Sequence, residues 1–379
     1  GLSAGEPPEF WNSDKPDNIR QLYRAAVEAG SDIFLTNTFG GNASRLKLHG
    51  AQGRVRELNR LGAALGREIA DASGRKIVVA GSIGPTGEIF EPMGTLTHAA
   101  AVEMFHEQAE GLKEGGADVL WVEHLRGAGM LPQAVRCPVV WDAVDALGPL
   151  FAGRAGLVKN PLKAWMFNCE AKRTGREEAL LAARFSATIA VTEREAALLG
   201  PNVIAIPNGV DCDYFQPFAN ADADKRPFHI CMVGRWNYLP NAHGCIQFLR
   251  DVWPQLCLKF PEAVCTIVGP GCQAGSPIAD AAVDGVKDGN VVLVGPVPDV
   301  RPFLHQSLLS VCPAMLAAGM QNKILESIAC GVPVVCTDIA AAGTIPGGLP
   351  GVFPAAKAAE MVDIITKLMM DPQLAQRQG

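Results

Sequence analysis

Apolar residues recur at helical spacing through DNIRQLYRAAVEAG (17–30), which ends at a glycine, and the short apolar run SDIFLTNTF (31–39) that follows ends in polar residues. The alternation then repeats. RVRELNRLGAALGREIADASG (54–74) has the helical period, KIVVAGSIGP (76–85) reads as a strand, HAAAVEMFHEQAEGLKEGG (98–116) as a helix and ADVLWVE (117–123) as a strand. Repeated βα units of this kind predict parallel strands with helices packed on them. Polar residues and glycines gather at the strands' C-terminal ends, the edge where α/β folds place their ligands.

Past residue 123 the alternation continues with a different vocabulary. PVVWDAVDAL (138–147) reads as a strand and turn, PLKAWMFNCEAKRTGREEALLAARF (161–185) as a long helix, and SATIAVTEREAALLG (186–200) as a strand running into a helix. The polar stretch ADADKRP (221–227) follows a proline-containing segment and predicts a linker, after which a second α/β unit opens at HICMVGRWN (229–237). In WVEHLRGAGML (121–131), Trp121 to Glu123 predict the end of a buried strand and His124 to Met130 the turn and helix start after it. The two vocabularies therefore meet at the C-terminal end of a strand.

Composition narrows the chemistry. A chain of 379 residues with 48% apolar content is long enough for two or three domains with buried cores. Its net charge is −6, with lysine and arginine dispersed, so it carries no electrostatic footprint for nucleic acid or an anionic membrane. Small-molecule chemistry is the better expectation. No apolar run reaches the length of an integral membrane segment and the opening residues form no signal pattern, which predicts a cytoplasmic protein. All 11 cysteines fall at or after Cys137, singly and without a CxxC pair, in apolar contexts such as Cys231 and Cys265. That pattern predicts buried reduced thiols rather than disulfides or a zinc site.

TNTFGGN (36–42), GSIGPTGE (81–88) and ADVLWVE (117–123), in this order and at strand ends, resemble the homocysteine S-methyltransferase family. The resemblance implies that residues 1–123 are a fragment of a (β/α)8 barrel holding its second to fourth strands. It also implies that Asn37 and Thr38 match positions that help hold the amino-acid part of homocysteine. That family activates the homocysteine sulfur on a zinc ion held by three cysteine thiolates from the second half of the barrel. No counterpart of that half is legible and no adjacent Cys-Cys pair occurs in the sequence. Neither a bound metal nor homocysteine methylation is expected.

IPNGVDCDYFQP (206–217), MVGRWNYLPN (232–241), VVLVGPVPDVRPFL (291–304) and GMQNKILESIACGVPVVCTD (319–338) resemble retaining GT-B glycosyltransferases of the exopolysaccharide type. The resemblance covers residues 124–379. It implies the remainder of an acceptor domain at 124–221 and a nucleotide-sugar-binding domain with terminal helices at 222–379. By that likeness Gly234 and Arg235 face the β-phosphate, Lys323 supplies a second cation, and Glu326 is the second glutamate of an E-x7-E motif and binds the ribose hydroxyls. Val294 to Val297 would lie against the base, while Gly319, Met320 and Gln321 would meet the sugar through backbone amides. These residue types suit the chemistry, because a departing diphosphate needs forked guanidinium, ammonium and helix-end donors to offset its growing charge. Ala318 stands where the first glutamate would be, so the sugar stays open. Asp142 stands where related enzymes often place a catalytic histidine. A carboxylate there orients an acceptor hydroxyl or, equally, caps the next turn.

The sequence thus predicts a chimera of α/β class, with a GT-B-like Rossmann domain at the C-terminus preceded by a hybrid region containing part of a (β/α)8 barrel. Parallel strands flanked by helices build both folds, so the barrel strands can join those of the truncated acceptor domain in one sheet. The N-terminal region is expected to be the less stable part, because its packing combines two unmatched halves. The function expected is transfer of a sugar, with retention, from a nucleotide sugar to a glycan or lipid-linked acceptor, impaired by the incomplete acceptor domain. The nucleotide sugar is a substrate, and no separate cofactor is expected. Two alternatives stand beside it: a non-catalytic nucleotide-sugar-binding protein, and homocysteine methyl transfer, against which the cysteine placement speaks.

Overall fold

The computed structural model describes residues 5–131, 137–217, 226–283, 290–316, 319–343 and 348–378. Ala318 and residues 221–225 of the predicted linker lie outside the described residues. The chain forms two compact units. The first is Gly1–Ala146 with Lys172–Ala190 and Glu195–Ala205, and the second is Leu147–Ala171 with Val191–Arg194 and Ile206–Gly379.

The first unit is built on six parallel strands, β1 (Ile33–Leu35), β2 (Val78–Ile83), β3 (Val119–Glu123), β4 (Val139–Asp142), β5 (Ala187–Ala190) and β6 (Val203–Ala205). Their spatial order is their sequence order, β1 through β6. This is the winding of half a β/α barrel: right-handed crossovers that always step the same way lay their helices on one face. The side chains follow. Val79, Leu120, Val122, Val139 and Trp141 alternate onto a buried face, while Ile33, Leu35 and Ile204 on the other are 48%, 39% and 55% exposed. Phe105 and Leu112 of the helix His98–Glu114 pack against Leu120, Val122 and Trp141 in one core that also takes in Leu181 and Leu199.

That sheet runs straight across residue 123. β3 pairs with β4 in unbroken register from Leu120 opposite Val139 to Glu123 opposite Asp142. The helix His124–Ala128 begins at the residue after β3, where the sequence predicts a turn and helix start. The barrel-like strands and those that follow thus share one sheet and one core.

The second unit holds β7 (Arg226–Val233), β8 (Val264–Val268), β9 (Val291–Val294), β10 (Ser307–Cys312), β11 (Val334–Thr337) and β12 (Val352–Ala355), all parallel. Their order is β12-β11-β10-β7-β8-β9. The chain starts in the middle, winds outward one way and then the other, so helices cover both faces and strands such as SLLSVC of β10 are buried at every position. Ile230, Cys265, Ile267, Leu309 and Val335 form the core with Phe248, Trp253, Leu256 and Ile365 from the helices. The order reverses between β7 and β10, and such a switch point leaves a crevice outside the strands' carboxyl ends. The 11 cysteines are all free thiols.

Candidate donor-binding site

The crevice at the carboxyl ends of β7 and β8 is a cavity of about 550 Å³, within the size range of small-molecule sites. Gly234, Arg235, Val297, Met320, Gln321, Lys323 and Glu326, drawn from three separate stretches of the sequence, line it together. Val294 ends β9 and packs with Val297 and Val300 around Leu304, behind the wall. Gly319 precedes Met320 without lining the cavity. Tyr238, Asn241, Gly269, Pro270, Pro296 and Asn322 also line it. Of these, Gly269 had a signal in the sequence, a glycine directly after an apolar run, whereas Asn241 lay unremarked inside a quoted motif.

Local structure explains the placement. β7 ends at Val233, and the N–H of the next residue, Gly234, donates to the Val268 carbonyl at 3.0 Å. The Trp236 backbone N–H donates to Pro270 at 2.7 Å, and its indole N–H to Val268 at 2.9 Å. These bonds turn the chain sharply and leave the Arg235 side chain exposed at the rim. Gly269 has φ +124°, and a Cβ there would collide with the Gly234 carbonyl oxygen, so only glycine lets the two strand ends approach this closely. Opposite, the helix Asn322–Ala329 starts without a side-chain cap, its Ile324 N–H donating to the Gln321 carbonyl at 2.8 Å, and its first turn places Asn322 and Lys323 at the cavity wall. Lys323 Nζ donates to Asn241 Oδ1 at 2.9 Å. Burial pushes the Glu326 carboxyl above its ordinary range while the nearby Lys323 pulls it back down.

The stretch 206–217 is lashed to the same region. Asn208 donates to Asn322 Oδ1 at 2.9 Å, and Asp211 accepts from the N–H groups of Asp213 and Tyr214 at 3.0 and 2.9 Å. Arg301 lies 3.6 Å over the Tyr214 ring, pairs with Asp299 at 2.8 Å and donates to the Tyr214 carbonyl. The asparagine and aspartate of the NGVD motif therefore act through hydrogen bonds that fix the loop and the start of a cavity-lining helix.

Asp142 lies in the first unit, at the end of β4. Its Oδ1 accepts from the Val144 N–H at 3.0 Å, which is the capping role. Glu123 is its register partner across the strands, and burial followed by mutual repulsion pushes the Glu123 carboxyl up; burial likewise raises Asp142. His124 and Val144 hold φ of 62° and 60°, uncommon for residues other than glycine. Asn37 and Thr38 lie in the loop after β1. Asn37 Nδ2 donates to the Pro8 carbonyl and to Asn12 Oδ1, at 2.7 and 3.0 Å. Thr38 is fully buried and donates to the Ser82 carbonyl at 2.9 Å. Gln108 from the helix His98–Glu114 donates to the Thr38 carbonyl at 2.8 Å. These bonds hold the loop.

A zinc ion does not fit these residues. Among the described residues no group of three or more His, Cys, Asp or Glu side chains is placed to hold a metal, and Cys137 is the single cysteine in the first unit's sequence.

Two family models match the chain. The model of the homocysteine S-methyltransferase family matches residues 4–276. The chain belongs to that family. A second model, of group 1 glycosyl transferases, matches residues 227–371, and the two together make the chain a two-part chimera. On the homocysteine S-methyltransferase side, methionine synthases of Mycobacterium tuberculosis and Mycobacterium leprae are 37% and 33% identical over 130 residues, 34% of this chain. The chain spans 11% of the length of these curated relatives. Among solved structures, HepE of Anabaena in complex with UDP is 18% identical, with a TM-score of 0.51 over 82% of this chain and 81% of that one. A glycosyltransferase of Rickettsia africae is 13% identical, with a TM-score of 0.52 over 91% and 89%. A UDP-forming trehalose-phosphate synthase of Burkholderia vietnamiensis is 11% identical, with a TM-score of 0.51 over 74% and 73%. These neighbours carry the GT-B fold, which the chain shares over most of its length. No helix among the described residues is long and apolar enough to cross a membrane.

Proposed function

We propose that the chain binds a nucleotide sugar, with a uridine diphosphate as the carrier, and that it is a glycosyltransferase-like protein acting with retention on a glycan or lipid-linked acceptor. The observation that carries the reading is the convergence of Arg235, Lys323 and the uncapped helix Asn322–Ala329 on one cavity that also contains Glu326. Two cations and a helix N-terminus are the groups that stabilise a departing diphosphate. A half-buried carboxylate with two acceptors suits a vicinal diol, and Pro296, Val297 and Val300 offer an apolar wall for a base. The UDP bound to HepE supports uridine as the base. Free, mostly buried thiols fit a reducing compartment and hence the cytoplasm. The nucleotide sugar is then a substrate and no further cofactor is called for.

In this reading Arg235 and Lys323 hold the diphosphate, Glu326 the ribose, and Met320 and Gln321 the sugar. Asp142, with its raised carboxyl, is assigned to the acceptor side. Its capping bond to Val144 favours a second reading, that of a nucleotide-sugar-binding protein without transfer activity.

Calorimetric titration with UDP, GDP and their sugars tests binding. Product analysis with a panel of donors, for hydrolysis and transfer, separates the two readings. Arg235→Ala and Lys323→Ala should each weaken diphosphate binding about ten- to a hundredfold, the worth of a lost charge-assisted hydrogen bond of ~1.5–3 kcal/mol. Glu326→Ala should weaken it less and mainly abolish the preference for ribose over deoxyribose. A parent that binds UDP well with both cation variants unimpaired would remove these residues from the site.

A further inference from the structure

The two cations of the cavity stand on different elements, Arg235 in the turn after β7 and Lys323 in the first turn of the helix Asn322–Ala329. Asn241, on the helix Leu239–Gln247, joins them: its Oδ1 accepts from Lys323 Nζ at 2.9 Å and its Nδ2 donates to the Arg235 carbonyl at 3.1 Å. We propose that Asn241 is a positioning residue of the donor site, whose carboxamide sets the separation of the Lys323 ammonium and the Arg235 turn to that of a diphosphate. This rests on the donor-site reading above and adds to it the device that holds the cations in place.

The chemistry favours an amide at this point. An ammonium has three donors, and one bond to Asn241 leaves two for phosphate oxygens. The amide is neutral, so it orients Lys323 without cancelling its charge. An aspartate in the same place would form an ion pair with Lys323 and turn a negative charge toward the phosphates. Asn241 is itself held, since its backbone N–H and that of Ala242 both donate to the Tyr238 carbonyl at 3.0 Å, with Pro240 stiffening the helix start. The Arg235 turn is tied on its other side by the Trp236 bonds to Val268 and Pro270. The Asn241 side chain is thus a direct link from that turn to Lys323.

The test compares the full-length parent with Asn241→Asp and Asn241→Ala, titrating UDP by calorimetry and uridine by ligand-observed NMR. Uridine shares the base and ribose contacts but has no phosphates. Asn241→Asp should weaken UDP about tenfold or more and Asn241→Ala severalfold, each leaving uridine affinity within about twofold of the parent. A purely structural role would weaken both ligands in parallel, and that result overturns the proposal, as does UDP affinity unchanged in both variants. A parent that binds neither ligand overturns the donor-site reading itself, and this proposal with it.

Discussion

Asp145 follows the strained Val144 and is crowded by carboxylates: burial first, then Glu195 and Asp142, push its carboxyl up to about 6. The folded chain therefore holds this proton more tightly than the unfolded chain, whose aspartate titrates near 3.8. Its contribution favours folding fully below that value and is lost as pH rises through about 6. Above that, the folded state carries a partly buried, repelled charge, a cost on the order of 1–2 kcal/mol once solvent on its open side is allowed for. Asp145→Asn should accordingly raise the urea midpoint at pH 7, and the gain should shrink toward pH 4. Equal midpoints for parent and variant at pH 7 would show that the charge is relieved by its surroundings. Glu123 and Asp142 are shifted in the same direction and stand in register on adjacent strands, whereas burial holds the neighbouring His124 below its ordinary range, so protonation of that ring works the other way.

Among the elements, the helix Leu239–Gln247 couples packing to the site. Gly244 lies against the Pro313 carbonyl so closely that a Cβ would overlap it, and Asn241 sits one turn earlier on the same helix. Gly244→Ala must push the helix off the loop after β10, which should cost about 1–3 kcal/mol of stability and weaken UDP binding by moving Asn241. A variant with parental melting temperature and affinity would show that the loop yields freely. The elements themselves were largely legible, because βα alternation sets strands and helices through periods of two and 3.6. Polar motifs at strand ends also led to most of the cavity wall. What periodicity does not encode is who partners whom. The TNTFGGN loop reads as a binding loop, yet its hydrogen bonds go to Pro8, Asn12, Ser82 and Gln108, none of them near it in sequence. Asn241 escaped notice for the same reason, since its meaning lies in a contact with Lys323 on another helix.

On the scale of the molecule, the two units differ in how far each depends on chain from elsewhere. Every buried member of the three cores of the second unit's sheet lies between Ile230 and Ala375, and all six strands of that sheet fall after residue 225. The first unit's core instead reaches from Ala63 and Phe105 before the join to Leu181, Ala190, Ala196 and Leu199 after it. Chain from both sides of residue 123 is there packed into one interior, and the part before it is expected not to fold alone. A fragment 206–379 should therefore unfold in a single cooperative urea transition and bind UDP within about threefold of the full chain, since a domain with its own core folds independently. A fragment 1–146 ends before β5 and β6, exposes the edge of β4 and lacks the last core residues, so it should show no cooperative transition and a tendency to associate through that edge. If fragment 1–146 folds cooperatively, the barrel-like strands are self-sufficient and the shared sheet is incidental. If fragment 206–379 is unfolded, the second unit owes its stability to Leu147–Ala171 or to the first unit, and the donor site cannot be treated as a property of its own sheet.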